Sequence, residues 1–429
     1  MKTTFFLLAF LSVAGGAFSQ DLSGDVKQRI KAIRDLTKQG DQAIPKIAPL
    51  VSDSDLSVRI EAVKALMQIG GPKTLDPLII AARDPDPEMQ IRATDGLVNV
   101  YLPGYAKNGM SGTLQRAGTS IKGHFTDTND KVIDSYIQVR PDVIEAVGRL
   151  AKSGASVEAR ANAARAVGVL RGRAAIPDLI DALHSKDDLV MYEGLIALQK
   201  IRDPSAAPRI TFLLHDLDDR IQIAALETTG LLRNKDAAPD VRDALGHARD
   251  IKVRRAALTA LAMISDESDH STFLKYLNDK DEGLRTAAAE GLARLRQPGD
   301  RDVVQNAFNG EHKMGPRLAD AFALVGIGNL DTSEFSPLRY LVNTFNVRAY
   351  RDVSVAYLTE LARQPAVRQA MYPMLTGATK DEKIQIGIVL ARSGDKDSIP
   401  YLQALSSDSD TDVAQQGVRS LRTLNARLP

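Results

Sequence analysis

The sequence contains no cysteine and no tryptophan. Without thiols there is no disulfide, no thiolate-held metal and no cysteine to carry a lipid near the N-terminus. Aromatic residues are sparse, at 5%. An excess of one charge sign is also missing. Lysine and arginine total 55 against 54 aspartate and glutamate, and 54 against 54 once Lys2 is set aside. A nucleic-acid-binding surface normally shows as a basic excess, so this balance argues against nucleic acid as the partner. Long apolar runs are absent but for one, Phe5 to Val13, which is shorter than the roughly 20 residues that cross a bilayer. It follows Lys2 and precedes Ala17-Phe18-Ser19. A positive start, an apolar stretch and small residues before a cut form the pattern of an export signal. Residues 1–19 are therefore expected to be removed after Ser19, leaving a mature chain in the periplasm or outside the cell. The catalytic signatures H-E-x-x-H, G-x-S-x-G, the P-loop and the dinucleotide fingerprint do not occur, so the expected protein is not an enzyme.

What the sequence has instead is a repeat. DLSVRIEAVKALMQIG starts at Asp55, DPEMQIRATDGLVNVY at Asp86 and DDLVMYEGLIALQKIR at Asp187. DDRIQIAALETTGLLR follows at Asp218, DIKVRRAALTALAMIS at Asp250, DEGLRTAAAEGLARLR at Asp281 and DTDVAQQGVRSLRTLN at Asp410. Neighbouring copies lie 31 or 32 residues apart. A period of this length indicates a solenoid, whose units bury their apolar faces only by stacking.

One unit, Ala174 to Asp203, shows how the residues build it. Pro177 opens a first helix, where its missing N–H costs nothing. Ile176, Leu179, Ile180 and Leu183 recur at helical spacing, the polar turn HSKDD interrupts, and Val190, Leu195, Leu198 and Ile201 form a second apolar stripe. Asp187 stands where a helix N-cap belongs. Asp55, Asp86, Asp218, Asp250, Asp281 and Asp410 fill the same place in other units, and a carboxylate there accepts a backbone N–H. Small residues recur inside the second helix at Ala62, Ala93, Ala163, Gly194, Ala225, Ala257, Ala288 and Gly417. Arg59, Arg160, Arg254 and Arg285 each stand four residues after the cap position.

The pattern D-x-x-V-R-x-x-A-x-x-A-L-x-x-I-G, as in Asp55 to Gly70, resembles the short HEAT repeats of phycobilisome-lyase-type proteins. The T-P-L-H and W-x-x-L-G signatures of ankyrin and tetratricopeptide arrays are absent. The resemblance implies an all-α fold, a right-handed α-solenoid of about nine or ten helical hairpins, with a protein as partner and no cofactor. It also implies that the acidic and arginine columns form a structural ladder between repeats.

Repeats are expected over 20–102 and 140–429, degenerate around 300–380. Residues 103–139 interrupt them with five glycines in their early part. Between Gly96 and Thr126 there is no acidic residue, while Lys107, Arg116, Lys122 and His124 are present. A loop this long inside an array is a candidate contact surface, and those four residues are the candidate partner-binding group. The second-helix row Glu61, Lys64, Arg92, Asp95, Arg165, Glu193, Lys200, Glu227, Glu290 and Arg294 is expected to line an open groove of mixed charge. His184, His215 and His247 form a column, but stacked helices lie 8–10 Å apart and zinc needs its nitrogens near 2 Å, so no metal site is expected. The function that follows is an exported scaffold for protein–protein contact in the cell envelope. Its rivals are an accessory protein with lyase-like or chaperone-like activity, and a membrane-surface binder using residues 103–139.

Overall fold

The computed structural model of the protein describes residues 24–105, 132–134 and 136–428. Among these, every regular element is helical. Short first helices, such as Ile176–Leu183 and Pro337–Asn343, alternate with longer second helices, such as Asp188–Ile201 and Glu282–Leu295. The result is an all-α solenoid with one continuous core from Ile33 to Leu424. The degenerate stretch holds complete hairpins whose caps have changed. Lys313 and Tyr350 occupy the cap positions of Met314–Gly326 and Arg351–Leu361, and neither makes a side-chain cap bond. One first helix is replaced by the 3-10 turns Pro204–Arg209 and Thr211–Leu213.

The D-x-D turns have a division of labour. The first acid is a turn residue: Asp53, Asp84, Asp216, Asp279 and Asp408 each accept the N–H two residues on. The second acid caps the helix. Asp55, Asp86, Asp218, Asp250, Asp281 and Asp410 all accept backbone N–H groups of the first turn. Asp187 does not. Its turn residue is Ser185, whose hydroxyl accepts the Asp187 N–H and donates to the Asp187 carboxylate at 3.3 Å, drawing it away from the helix. Asp250→Ala is therefore expected to cost about 1 kcal/mol, and Asp187→Ala less than about 0.5 kcal/mol. Denaturant midpoints of the two variants decide this; equal shifts would refute the distinction.

The arginine column is a ladder whose acceptor is the turn acid of the following repeat, not the cap. Arg59 donates to the carbonyls of Asp53 and Ser54 in its own turn, and its Nε reaches Asp84 Oδ2 at 2.7 Å. Arg285 repeats this with Asp279, Lys280 and Glu311. Arg160 reaches Asp187 only at 3.7 Å, and Arg254 turns to the Tyr276 hydroxyl at 3.4 Å.

Glycine sets how closely second helices stack. A Cβ on Gly168 would fall 2.7 Å from Ala197 Cα, and one on Gly230 would fall 2.8 Å from Ala260 Cα. Both contacts join consecutive second helices. The array also closes across the 103–139 interruption. Asn162 Nδ2 donates to Asp95 Oδ1 at 3.0 Å and the Ala155 N–H to Gln90 Oε1 at 2.7 Å. The end of that interruption is structural: Ile133 is buried, and its N–H donates to the Val169 carbonyl at 3.0 Å.

Candidate functional site

Residues Lys107, Arg116, Lys122 and His124 lie outside the described residues, as do residues 1–23. The predicted groove row is described, and much of it is not open surface. Asp95, Glu193 and Lys200 are buried, Glu193 to 1% exposure. Arg165 Nε donates to Glu193 Oε2 at 3.2 Å across adjacent second helices. Arg34 pairs likewise with Glu61 at 2.6 Å. The close stacking of second helices, seen at Gly168 against Ala197 and Gly230 against Ala260, explains the correction. Because the helices approach so closely, a polar side chain at the seam is sandwiched by its neighbours and pairs there instead of facing solvent. In the histidine column, His184 stacks on Phe212 at 4.6 Å, and the exposed His215 and His247 lie at 3.9 and 3.0 Å from Asp243.

A second enclosed charged cluster is built around Arg294. Arg294 donates to Glu290 Oε2 at 3.2 Å and to Glu360 Oε2 at 3.0 Å. Tyr357 donates its hydroxyl to Glu290 Oε1 at 2.5 Å, and its ring stacks on Phe322 at 4.4 Å. Burial and the neighbouring Glu290 charge hold the Tyr357 phenol well above its ordinary range. Glu360 belongs to the helix Arg351–Leu361, yet it also lies 3.8 Å from Arg233. The array therefore curls until repeats far apart in sequence face each other. Arg422, in the last helix, lies within electrostatic reach of Tyr136.

That curvature gathers residues that sequence reasoning passed over. Fifteen positions after the cap positions Asp55, Ser156, Asp187, Asp218, Asp250, Asp281 and Lys313, the chain leaves the second helix with a positive φ. Glycine fills this place at Gly70 and Gly328, with φ of 69° and 108°. Between them stand Arg171, Arg202, Arg233, Ser265 and Arg296, with φ between 50° and 55°. A left-handed residue at a helix C-terminus is normally glycine, because a Cβ is strained there. The repeat ends KIR, LLR and RLR carry this signal in the sequence, but only the backbone conformation marks it as unusual. All four arginines are exposed. Arg363, in the turn after the helix Arg351–Leu361, lies within electrostatic reach of Arg202. Burial of the Arg202 guanidinium lowers its hold on its proton, and the charges of Arg171 and Arg363 lower it further. Water still touches the Arg202 side chain, so the head group is crowded rather than sealed. Arg171, Arg202 and Arg363 form no ion pair among the described residues.

Comparison with known proteins agrees with this architecture. The HEAT repeats family model matches residues 18–98, 144–225, 207–293 and 248–323, together more than half of the chain. No curated protein matches. Among solved structures, the complex of CpcE and CpcF of phycocyanin lyase from Nostoc sp. PCC7120 is similar at 19% identity, with a TM-score of 0.37. That match covers 65% of this chain and 94% of the other. Kap121p bound to Pho4p is similar at 12% identity, with a TM-score of 0.43, over 94% of this chain and 56% of Kap121p. These likenesses concern the helical-repeat fold alone. With the cap, turn and small-residue columns present from repeat to repeat, the chain belongs to the HEAT-repeat family.

Proposed function

We propose that this protein is an exported, non-enzymatic scaffold that holds a protein partner in the cell envelope. The observation that carries the reading is the curled array itself. Stacked repeats present a long surface, and here that surface bends until Arg233 meets Glu360, so it can hold a partner from two sides. Repeat arrays commonly bind through such extended faces. Export rests on Lys2, the run Phe5–Val13 and Ala17-Phe18-Ser19. The basic residues Lys107, Arg116, Lys122 and His124 of the 103–139 interruption are a second candidate contact group in this reading.

The test uses protein from native cells. Its N-terminus should begin at Gln20, and recovery of Met1 would refute export. The mature chain, immobilised, should retain one dominant envelope protein in stoichiometric amount. A variant with residues 106–131 replaced by a short Gly/Ser linker keeps Ile133 in the core. It is expected to retain its circular dichroism and melting temperature while retaining less partner. Undiminished capture would remove the interruption from the binding surface. Absence of any stoichiometric partner would refute the scaffold reading.

A further inference from the structure

We infer that a cavity at a break in the arginine ladder binds the carboxylate of an acidic side chain presented by the partner protein. The inference rests on the scaffold reading and names the chemistry of one contact. The cavity measures about 320 Å³ and is half open to solvent. It lies between the first helices Leu75–Ala81 and Pro141–Ser153, in the two repeats that the 103–139 interruption separates. Arg83, Arg149 and Gln90 supply its donors, and Ala82, Ala146 and Leu150 its apolar wall.

The first support is the reason the space is open. In the preceding rungs an arginine pairs with the turn acid of the following repeat, Arg29 with Asp53 at 3.1 Å and Arg59 with Asp84 at 2.7 Å. At the next rung Gln90 stands in the arginine position and Gly154 in the acid position. Gln90 Nε2 donates to the Asp84 carbonyl at 2.8 Å, as Arg59 donates to the Asp53 carbonyl, and Gln90 Oε1 accepts the Ala155 N–H at 2.7 Å. The shorter side chain thus keeps the backbone bonds of a rung without its ion pair. A Cβ on Gly154 would fall 2.8 Å from the Leu150 carbonyl oxygen, so this turn carries no acid of its own unless it shifts.

The second support is the donor set. Arg83 is exposed and makes no ion pair or side-chain hydrogen bond among the described residues. Arg149 has Glu145 at 3.9 Å, and both side chains are exposed, so water screens that pair. A guanidinium offers two parallel N–H groups that match a carboxylate. Gln90 is 7% exposed and held at both ends of its amide. Its NH₂ has two hydrogens, and one of them is used. The C-terminal ends of the first helices account for cations along this edge, but not for an open volume with a fixed amide in its wall.

The third support is size. Sites for small molecules start at about 300 Å³, so this cavity admits a single side chain rather than a large cofactor. Anchors of that kind, seated in pockets, carry much of the energy of protein contacts.

The experiment is an NMR titration of the full mature chain that follows the Gln90 side-chain amide. The probe is N-acetylglutamate N-methylamide, with the glutamine analogue and inorganic phosphate as comparisons. The glutamate probe should shift the signal saturably. The glutamine analogue should bind weaker by on the order of tenfold or more, because it forfeits charge-assisted hydrogen bonds. Arg83→Gln with Arg149→Gln should lose on the order of tenfold in probe affinity at an unchanged melting temperature, since both side chains are exposed. Arg83→Lys with Arg149→Lys should recover part of it. Arg209→Gln, at an exposed arginine outside the cavity lining, should bind as the parent does. Absence of a saturable shift would overturn the inference, as would equal affinity in the parent and the double glutamine variant. Equal binding of the glutamate and glutamine probes would also overturn it. Phosphate binding as tight as the glutamate probe would make this a general anion site and overturn the assignment to a side-chain carboxylate. If the parent captures an envelope partner but leaves the probe unbound, the inference falls and the scaffold reading stands. If it binds the probe but captures no envelope protein, the scaffold reading falls, and the assignment of the carboxylate to a partner falls with it.

Discussion

Asp320→Asn is expected to stabilise the protein at pH 8 by about 2–3 kcal/mol and to do little near pH 4. Asp320 occupies the small-residue column, the place of Ala257 and Ala288 in earlier repeats, and is 3% exposed. Burial pushes its carboxyl up to about 8, and the Glu311 charge adds to the rise. The nearby arginines are committed elsewhere. Arg285 serves Glu311 at 2.7 Å, and Arg317 lies over the rings of Phe308 and Tyr340 at 4.9 and 5.1 Å. Below about pH 4 the folded and unfolded chains both hold this proton, so it contributes no pH dependence. From there to about pH 8 the unfolded chain has released it and the folded chain has not. Stability then falls by about 1.4 kcal/mol per pH unit for an isolated carboxyl, and water entry reduces the total. Urea titrations of parent and variant across this range provide the check. Parallel stability curves would show that Asp320 keeps no proton in the folded state. Unfolding in a repeat array is partly local, so the effect should concentrate in the hairpins around Met314–Gly326.

Arg294→Met should produce a large loss, about 3–5 kcal/mol. The methionine fills the same space against Phe322, whose ring lies 5.4 Å from the Arg294 guanidinium. It leaves Glu290 and Glu360 facing each other at a mostly enclosed site, with Arg233 at 3.8 Å from Glu360 as the remaining cation. Breaking such a pair costs more than the pair itself contributes, because the surviving charges stay desolvated. The triple variant Arg294→Met, Glu290→Gln, Glu360→Gln should therefore recover much of the stability. A single variant within about 1 kcal/mol of the parent would mean that water reaches and screens the cluster. The helix Arg351–Leu361 should also loosen, since Glu360 ties it to Glu282–Leu295. Hydrogen exchange in that helix reports the change directly.

The hairpin array was legible from residue spacing. Apolar stripes, cap residues and small residues recur at a fixed period, and each acts on neighbours within one or two turns of chain. Asp55 and Asp250 cap because their carboxylates sit two or three residues from the N–H groups they bind. The same local logic misplaced Asp187, where Ser185 competes for the carboxylate. It also took Asp55 for a ladder partner, when Arg59 in fact reaches Asp84 in the following repeat.

The sequence by itself determined the repeat, the helices, their order and the one interruption, because these depend on short-range preferences that a period makes redundant. Tertiary structure alone decided which charges remain available. Glu193 and Arg165 look like surface residues until close helix stacking buries them against each other. Arg233 and Glu360 are 127 positions apart in the sequence and meet at 3.8 Å only because small angular offsets between repeats accumulate along the solenoid. No single repeat encodes that sum, so the contact it creates is a property of the whole array.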